Sequence, residues 1–257
     1  MIEPQRISSH ANPLLVALRK TVHDGAAYRR SGQVWLEGDH LCAAACARGV
    51  QPRQALLSET GWQRPAWRDL AYRAARVAVV PDALFAECSG LESPAGIGFV
   101  IDRPEPAVID ARLDAVVLDR LQDAGNVGSV LRSAAALGVA QVIALKGTAA
   151  LWSPKVLRAG MGAHFALRLS EGLDEDGLLA LRLPLVATSS HGGHLLPQAE
   201  LPSPVAWLLG HEGQGVSDRL LQACTGTVRI PQPGGEESLN VAAAAAICLY
   251  EGLRRRQ

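Results

Sequence analysis

The chain has 257 residues, 48% of them hydrophobic but only 4% aromatic, and its 25 Lys and Arg balance 25 Asp and Glu. That length suits one large domain or two ordinary ones, and an interior rich in alanine, leucine and glycine suits helices packed closely on a buried sheet better than a β-sandwich. Zero net charge removes bulk electrostatics as an argument for nucleic acid. Yet residues 1–80 hold eleven Lys/Arg against six Asp/Glu, while residues 106–257 hold thirteen against fourteen. A modestly basic front half is compatible with a phosphate-rich partner and equally with a solvated surface.

The five cysteines are odd in number, and none forms a C-x-x-C pair. Cys42 and Cys46 lie four apart on an alanine-rich stretch with no third ligand nearby, so they read as small buried thiols in a reducing compartment and not as a metal site. Met1 to His10 lacks the apolar core of a secretion signal. The longest apolar run, Val241 to Tyr250, is too short to span a bilayer. The expectation is a soluble, cytoplasmic protein with no metal and no membrane partner.

In chain order, Asn12-Pro13 starts a helix through Leu14, Leu15 and Leu18, and Tyr28-Arg29-Arg30-Ser31-Gly32 reads as a charged turn. Strands are expected at Gln33–Gly38, Gln54–Leu57, Val77–Val80 and Ile97–Ile101, with helices from about His40 to Arg48 and from Pro81 to Glu87. The segment Gly61 to Arg76 holds two tryptophans and four arginines, and its second half reads as helix. Together these form a small α/β unit over residues 1–105. Two prolines and three charges in Asp102-Arg103-Pro104-Glu105-Pro106 discourage regular structure and mark the boundary to a second unit, residues 106–257.

From Ala115 the pattern becomes β-loop-α-β. The apolar run Ala115 to Leu118 is a buried strand, followed by a polar glycine-bearing loop and a helix capped by Asn126 that ends at Gly138. At about 100° per residue Val127, Val130, Leu131, Ala134 and Leu137 share a stripe, and Arg132 falls opposite, beside Gly128, Ser129 and Ala136. Helical side chains lean toward the N-terminus, so this guanidinium can reach back over the loop. A solvated surface arginine is the plain alternative. Further strands are expected at Gln141–Leu145, Leu183–Thr188, Val205–Leu209 and Val228–Ile230. Helices are expected after Ser153-Pro154, across the acidic stretch before Leu183, after Ser217, and from Ser238 or Leu239 to the end. Parallel strands with helical crossovers bind ligands at their carboxyl ends.

Three polar glycine loops follow three of these strands: around Asn126, at Gly210-His211-Glu212-Gly213-Gln214-Gly215, and at Ile230 to Asn240, where Pro231 to Gly235 is expected to turn tightly. A dinucleotide fold wants G-x-G-x-x-G and an acid at the second strand's end, but here Lys146-Gly147 stands there; a P-loop wants Gly-Lys-Ser/Thr, which neither glycine loop has. Glycines that merely make turns explain any one loop well, though three on one sheet edge less well. Alone, Glu212 reads as a solvated carboxylate and Ser238 as a plain N-cap.

The set Asn126-x5-Arg132, Gly210-x-Glu212-Gly213-x-Gly215 and Ile230-Pro231 followed by Ser238-Leu239-Asn240-Val241 resembles the three motifs of the SpoU/TrmH family of RNA 2′-O-ribose methyltransferases, in order, over about residues 112–257. Ser153 to Ala163 is similar to the stretch between the first two motifs. Residues 12–97 are more loosely similar to the family's N-terminal RNA substrate-binding domain, and the Gly61–Arg76 segment departs from it. The resemblance implies a knotted SPOUT-class, Rossmann-like parallel-sheet domain behind a smaller α/β RNA-binding domain. It implies S-adenosylmethionine held by the backbone at Thr188, Gly210, Ile230 and Leu239, a structured RNA substrate that is ribosomal sooner than transfer RNA, and a homodimer. It gives Arg132 the central catalytic role, Asn126 the orientation of loop or substrate, Glu212 the organisation of the pocket, and Ser238 and Asn240 the placing of the cofactor end and of an arginine contributed across the dimer. The apolar Val241–Leu249 helix fits burial in such a dimer or within one chain. A non-catalytic RNA-binding factor, or a base or protein methyltransferase, are the competing functions.

Overall fold

The computed structural model describes residues 3–190, 192–234 and 238–256. Gly235, the last residue of the expected turn, lies outside them. The chain divides into two compact units, Met1–Glu105 with Trp152–Phe165, and Pro106–Leu151 with Ala166–Gln257.

The first unit runs β1 (Gln5–Arg6), α1 (Pro13–His23), α2 (Tyr28–Ser31), β2 (Gln33–Glu37), α3 (Asp39–Ala47), β3 (Gln54–Ser58), α4 (Glu59–Trp62), α5 (Pro65–Ala71), β4 (Val77–Val80), α6 (Asp82–Glu87) and β5 (Ile97–Asp102). Its five strands are ordered β1-β4-β3-β5-β2. β1, β4 and β3 are parallel, and β5 runs antiparallel to β3 and β2. Alternate strand residues face opposite sides, so Trp35, Leu56, Ala78 and Val80 form one core with Leu15 and Leu18 of α1 and Leu84 and Phe85 of α6. Asn12 caps α1 by accepting from the Leu14 N–H at 3.0 Å, and Pro13 sits in the first turn, where its missing donor costs nothing.

Two expectations change here. Tyr28–Ser31 is a helical turn closed by Gly32 in the left-handed region, not an open charged turn. In the Gly61–Arg76 segment the helix occupies the middle, Pro65–Ala71, not the second half. Pro65 fixes its first residue's φ for helix, and the chain leaves helix at Tyr72, short of β4.

The second unit runs β6 (Ala115–Leu118), α7 (Ala124–Ala136) and β7 (Gln141–Leu145). The chain then gives α8 (Pro154–Gly160) to the first unit and returns with β8 (Arg168–Leu173), α9 (Glu175–Ala180), β9 (Leu185–Thr188), β10 (His194–Leu195), β11 (Ala206–Leu209), α10 (Asp218–Ala223), β12 (Gly226–Arg229) and α11 (Val241–Arg254). The seven strands are ordered β10-β12-β9-β11-β6-β7-β8, and every pair is parallel. Sheets of this kind are covered on both faces, which is why the central strands are continuous apolar runs. One face packs Ala115, Val117, Ile143, Leu185 and Leu208 against Leu178 of α9 and Leu220 of α10. On the other lies Trp207, 1% exposed and facing α11 at Gly252, where an added Cβ would lie 3.5 Å from its ring. Each such aliphatic side chain contributes roughly 1.5–3 kcal/mol when fully buried.

Boundaries shift where polar residues compete for helix ends. Asp123, not Asn126, caps α7, its carboxylate accepting from the Asn126 N–H at 2.7 Å. Asn240, not Ser238 or Leu239, caps α11, accepting from Ala242 and Ala243. The expected stripe of α7 is buried at Val127, Val130, Leu131 and Ala134, with Leu137 half-buried at the C-cap. Arg132 is exposed, while Gly128, expected beside it, is buried at the stripe's margin. β12 stops at Arg229, leaving Ile230 just beyond it. β8 and β10 have no sequence counterpart above: β8 is a partly exposed edge strand without an apolar run, and β10 is two residues long. Among the described residues no helix is long and apolar enough to cross a membrane, and no cluster of His, Cys, Asp or Glu could hold a metal ion.

Candidate active site

Parallel pairing aligns the carboxyl ends of four neighbouring strands: Leu118 is level with Leu209, Leu208 with Ala187, and Thr188 with Val228. The chain leaves β6 toward β7 on one side and later fills β9 and β11 on the other, so a topological switch point lies beside β6, where open α/β sheets take their ligands. A cavity of about 820 Å³ opens there. Asn126, Thr188, Gly210, Glu212, Ile230, Ser238, Leu239 and Asn240, eight of the nine residues singled out in the sequence, line it. Arg132 does not; it stands six residues further along α7 from Asn126, about 9 Å at 1.5 Å per residue. It is exposed, and among the described residues no hydrogen bond or ion pair engages its guanidinium.

A polar chain ties the three glycine loops together. Glu212 accepts from the backbone N–H groups of Gln122 and Asp123, both at 3.1 Å, and from the Asn126 side-chain amide at 3.3 Å. Asn126 in turn accepts from the Asn240 amide at 2.9 Å, and Asn240 caps α11. Partial burial pushes the Glu212 carboxyl up, but hydrogen bonds from its own N–H, Gln122, Asp123 and Asn126 outweigh that and hold it below the ordinary carboxylate range. Glu212 is therefore an ionised clasp, with both of its carboxylate oxygens engaged by donors. Moving the cap from Asn126 to Asp123 is what frees Asn126 for this link.

Gly210 shows why no larger residue suits the second loop. A Cβ there would lie 2.2 Å from Gly215 C and Val216 N, and His211 and Gly215 exchange backbone hydrogen bonds at 3.0 and 2.8 Å. The His211 Nδ1 accepts from the N–H groups of Gly213 and Gln214, so its ring proton sits on Nε2.

Sequence reasoning missed several participants. Asp119, 1% exposed at the end of β6, is held by Arg120 through two bonds of 2.8 and 3.1 Å and by the Ser217 N–H at 3.0 Å. Arg120 takes a positive φ of 59° to make this fork and also reaches Gln214 at 3.2 Å. The only signal in the sequence was an Asp-Arg pair directly after an apolar strand. Gln232 also lines the cavity, and its Oε1 is buried with no hydrogen-bond partner among the described residues. An acceptor left in that state costs stability unless something supplies a donor.

Residues 115–250 match the model of the SpoU rRNA methylase family. The chain belongs to that family. Among its SpoU relatives, an uncharacterized tRNA/rRNA methyltransferase of Synechocystis sp. is 34% identical over 97% of this chain and 94% of its own length. The 23S rRNA (uridine(2479)-2′-O)-methyltransferase of Streptomyces viridochromogenes is 33% identical over 88% of this chain and 84% of its own. Among solved structures, an RNA 2′-O ribose methyltransferase superposes with a TM-score of 0.81 at 33% identity over 98% and 99% of the two chains. A SpoU methyltransferase of Streptomyces viridochromogenes, solved with the cofactor AdoMet, gives 0.83 at 27% identity over 95% and 98%.

Proposed function

We propose that this SpoU family member transfers the methyl group of S-adenosylmethionine to a ribose 2′-hydroxyl of structured RNA, ribosomal sooner than transfer RNA. The single observation that carries this is the convergence of the three glycine loops on one cavity, clasped by Glu212, Asn126 and Asn240. The cavity fits the cofactor: its walls offer backbone at Thr188, Gly210, Ile230 and Leu239, and the orphaned Gln232 Oε1 awaits a donor such as an amino or hydroxyl group. When bound, the cofactor supplies an electrophilic methyl on a positively charged sulfur.

A ribose hydroxyl is a weak nucleophile that must be aligned and lose its proton. Glu212 serves as a strut and not as the base, because its oxygens are already engaged. Arginine is too weak an acid to act as a base at neutral pH, so Arg132 binds the phosphate beside the reacting ribose and stabilises the developing alkoxide, with the proton passing to that phosphate. The guanidinium is exposed and free of partners among the described residues, but it is not in its own chain's cavity wall. It therefore acts on the partner subunit's site in a homodimer, with Ser238 and Asn240 placing it. Support for the dimer comes from α11, which buries Ala245, Cys248, Leu249 and Gly252 yet leaves Ile247 and Tyr250 41% and 58% exposed.

The C-terminal segment forms a trefoil knot in this reading, rare as true knots are. The sheet order supports it, since β12 lies between the earlier strands β9 and β10. The first unit binds the RNA. With five free cysteines, the enzyme works in a reducing compartment, the cytoplasm.

The test is Arg132→Ala. It is expected to lower methyl transfer at least about a hundredfold, as loss of one transition-state donor does, with unchanged S-adenosylmethionine affinity by calorimetry. Product is scored by the resistance of 2′-O-methyl positions to alkaline cleavage. Full turnover in that variant removes Arg132 from the mechanism, and product that remains alkali-sensitive removes ribose as the acceptor.

A further inference from the structure

Residues 61–76 of the first unit concentrate aromatic and cationic groups that take no part in the cavity described above. Trp62 ends α4, Arg64 precedes α5, Trp67 and Arg68 stand on α5, and Tyr72, Arg73 and Arg76 follow it. The Arg64 guanidinium lies 4.1 Å from the centroid of the Trp67 ring, and Arg68 lies 6.0 Å from that of Trp62. Trp62 meets Tyr72 edge-on at 5.9 Å, and the Trp67 indole N–H donates to Asp39 at 3.3 Å, which fixes the ring.

Arg6, Arg19, Arg30 and Arg53 each face a carboxylate. Among the described residues, Arg64, Arg68, Arg73 and Arg76 face none, and Arg64, Arg73 and Arg76 are exposed. Lys20 and Arg48 of this unit also lack a carboxylate partner among the described residues, but they stand apart from one another, whereas these four unpaired cations are clustered. A solvated surface normally scatters or pairs its charges; here four unpaired guanidinium groups share sixteen residues with three aromatic rings. Beside them a hollow of about 390 Å³, lined by Ser58, Thr60, Arg64, Trp67, Asp82 and Pro94 among others, is within the range of small-ligand pockets.

An arginine stacked on a tryptophan, beside a looser arginine–aromatic contact and free cations, suits unpaired nucleic acid: bases stack on rings and guanidinium planes, and phosphates are neutralised by nearby arginines. Duplex RNA, its bases already stacked on one another, cannot use such platforms. We infer that this ridge binds single-stranded RNA, with one base against the Arg64–Trp67 pair in the hollow, a neighbouring base on the Arg68–Trp62 pair, and phosphates at Arg73 and Arg76. The inference rests on the RNA reading above and names the surface and the form of RNA that it takes.

The test uses the full chain and a fluorescein-labelled, unstructured 12-nucleotide RNA, alone or annealed to its complement, with anisotropy for affinity and tryptophan emission for stacking. The wild type is expected to bind the single strand with quenching and the duplex at least about tenfold more weakly. Arg64→Ala/Arg68→Ala should weaken single-strand binding about tenfold or more. Arg64→Lys/Arg68→Lys should keep the salt dependence but lose affinity, since lysine keeps charge without a stacking plane. Arg73→Gln/Arg76→Gln should lower the slope of log affinity against log salt by roughly 1.4, two phosphates at about 0.7 each. Arg64, Arg73 and Arg76 are exposed and Arg68 is half-buried, so the fold of the first unit is verified in each variant by far-UV circular dichroism and thermal unfolding. If the wild type binds RNA and all three variants bind as tightly, the ridge is wrong and the RNA reading stands. Equal duplex binding, or a wild type that binds neither form, overturns the single-strand assignment, while the RNA reading itself falls only with alkali-sensitive product in the methyl-transfer test.

Discussion

Asn126 and Glu212 join segments far apart in the chain through one amide–carboxylate contact. Because Asp123 caps α7, the Asn126 amide is free to bridge Glu212 and Asn240, and Glu212 holds two backbone N–H groups of the first loop. Glu212→Gln keeps the shape but loses a charged acceptor, and bonds to charged groups are worth about 1.5–3 kcal/mol. We expect S-adenosylmethionine affinity to fall about tenfold by calorimetry; no change would mean that the clasp is idle. The pH dependence has a definite sign. A carboxyl lowered in the folded state contributes stability that is present above its ordinary value of 4.5 and lost as pH falls through the lowered one. Wild-type cofactor affinity should therefore hold at neutral pH and decline only below pH 4.5, and the Gln variant should lack that decline. The cysteines give a separate test. Burial pushes Cys248 up to about 12 and Cys88 to about 11, while Cys46 is raised less and is only half-buried. Iodoacetamide should label Cys46 well before Cys88 or Cys248, read by peptide mass spectrometry.

At the scale of elements, α11 carries two opposed faces and a tied end. Glu251 bonds Arg254 twice at 2.8 Å and Arg255 at 2.7 Å, and Arg255 donates onward to the carbonyls of Ala199 and Leu196. The two guanidinium groups pull the Glu251 carboxyl down to about 2. Its contribution is thus complete above pH 4.5 and lost between there and about 2. In Glu251→Gln the acid unfolding curve should lose its stabilisation across that window while matching the wild type's shape near neutrality. The opposite face, Ile247 and Tyr250, is the proposed dimer contact. Ile247→Glu/Tyr250→Glu should sediment as a monomer and lose methyl transfer, since each cavity then lacks the partner subunit's Arg132; a monomer that stays active would place Arg132 in its own chain's reaction.

For the whole molecule, the cofactor reading makes a spatial prediction. The cavity draws on segments after β6, β9, β11 and β12, far apart in sequence and all in the second unit. Adding S-adenosylmethionine should slow amide hydrogen exchange at residues 119–126, 188–190, 210–216 and 228–234 and leave the five-stranded sheet unchanged. Protection confined to the first unit would move the binding site.

Much of this was legible in the sequence because it is local. Apolar runs such as Ala115–Leu118 and Ala206–Leu209 declare buried parallel strands, and Asn12-Pro13 and Ser153-Pro154 declare helix starts through their own side chains. Glycine-bearing loops after three such strands announced a shared edge, and the resemblance to the SpoU/TrmH motifs named eight of the cavity's residues. Competition between nearby polar groups was not legible. Asp123 and Asn126 can both cap, and only the path from β6 and the pull of Glu212 decide between them. Nor was the fork of Asp119 and Arg120, the orphaned Gln232 acceptor, or the absence of Arg132 from the cavity wall. Each depends on which distant segments meet, and that is set by strand order and packing, to which a linear pattern of residue types is blind.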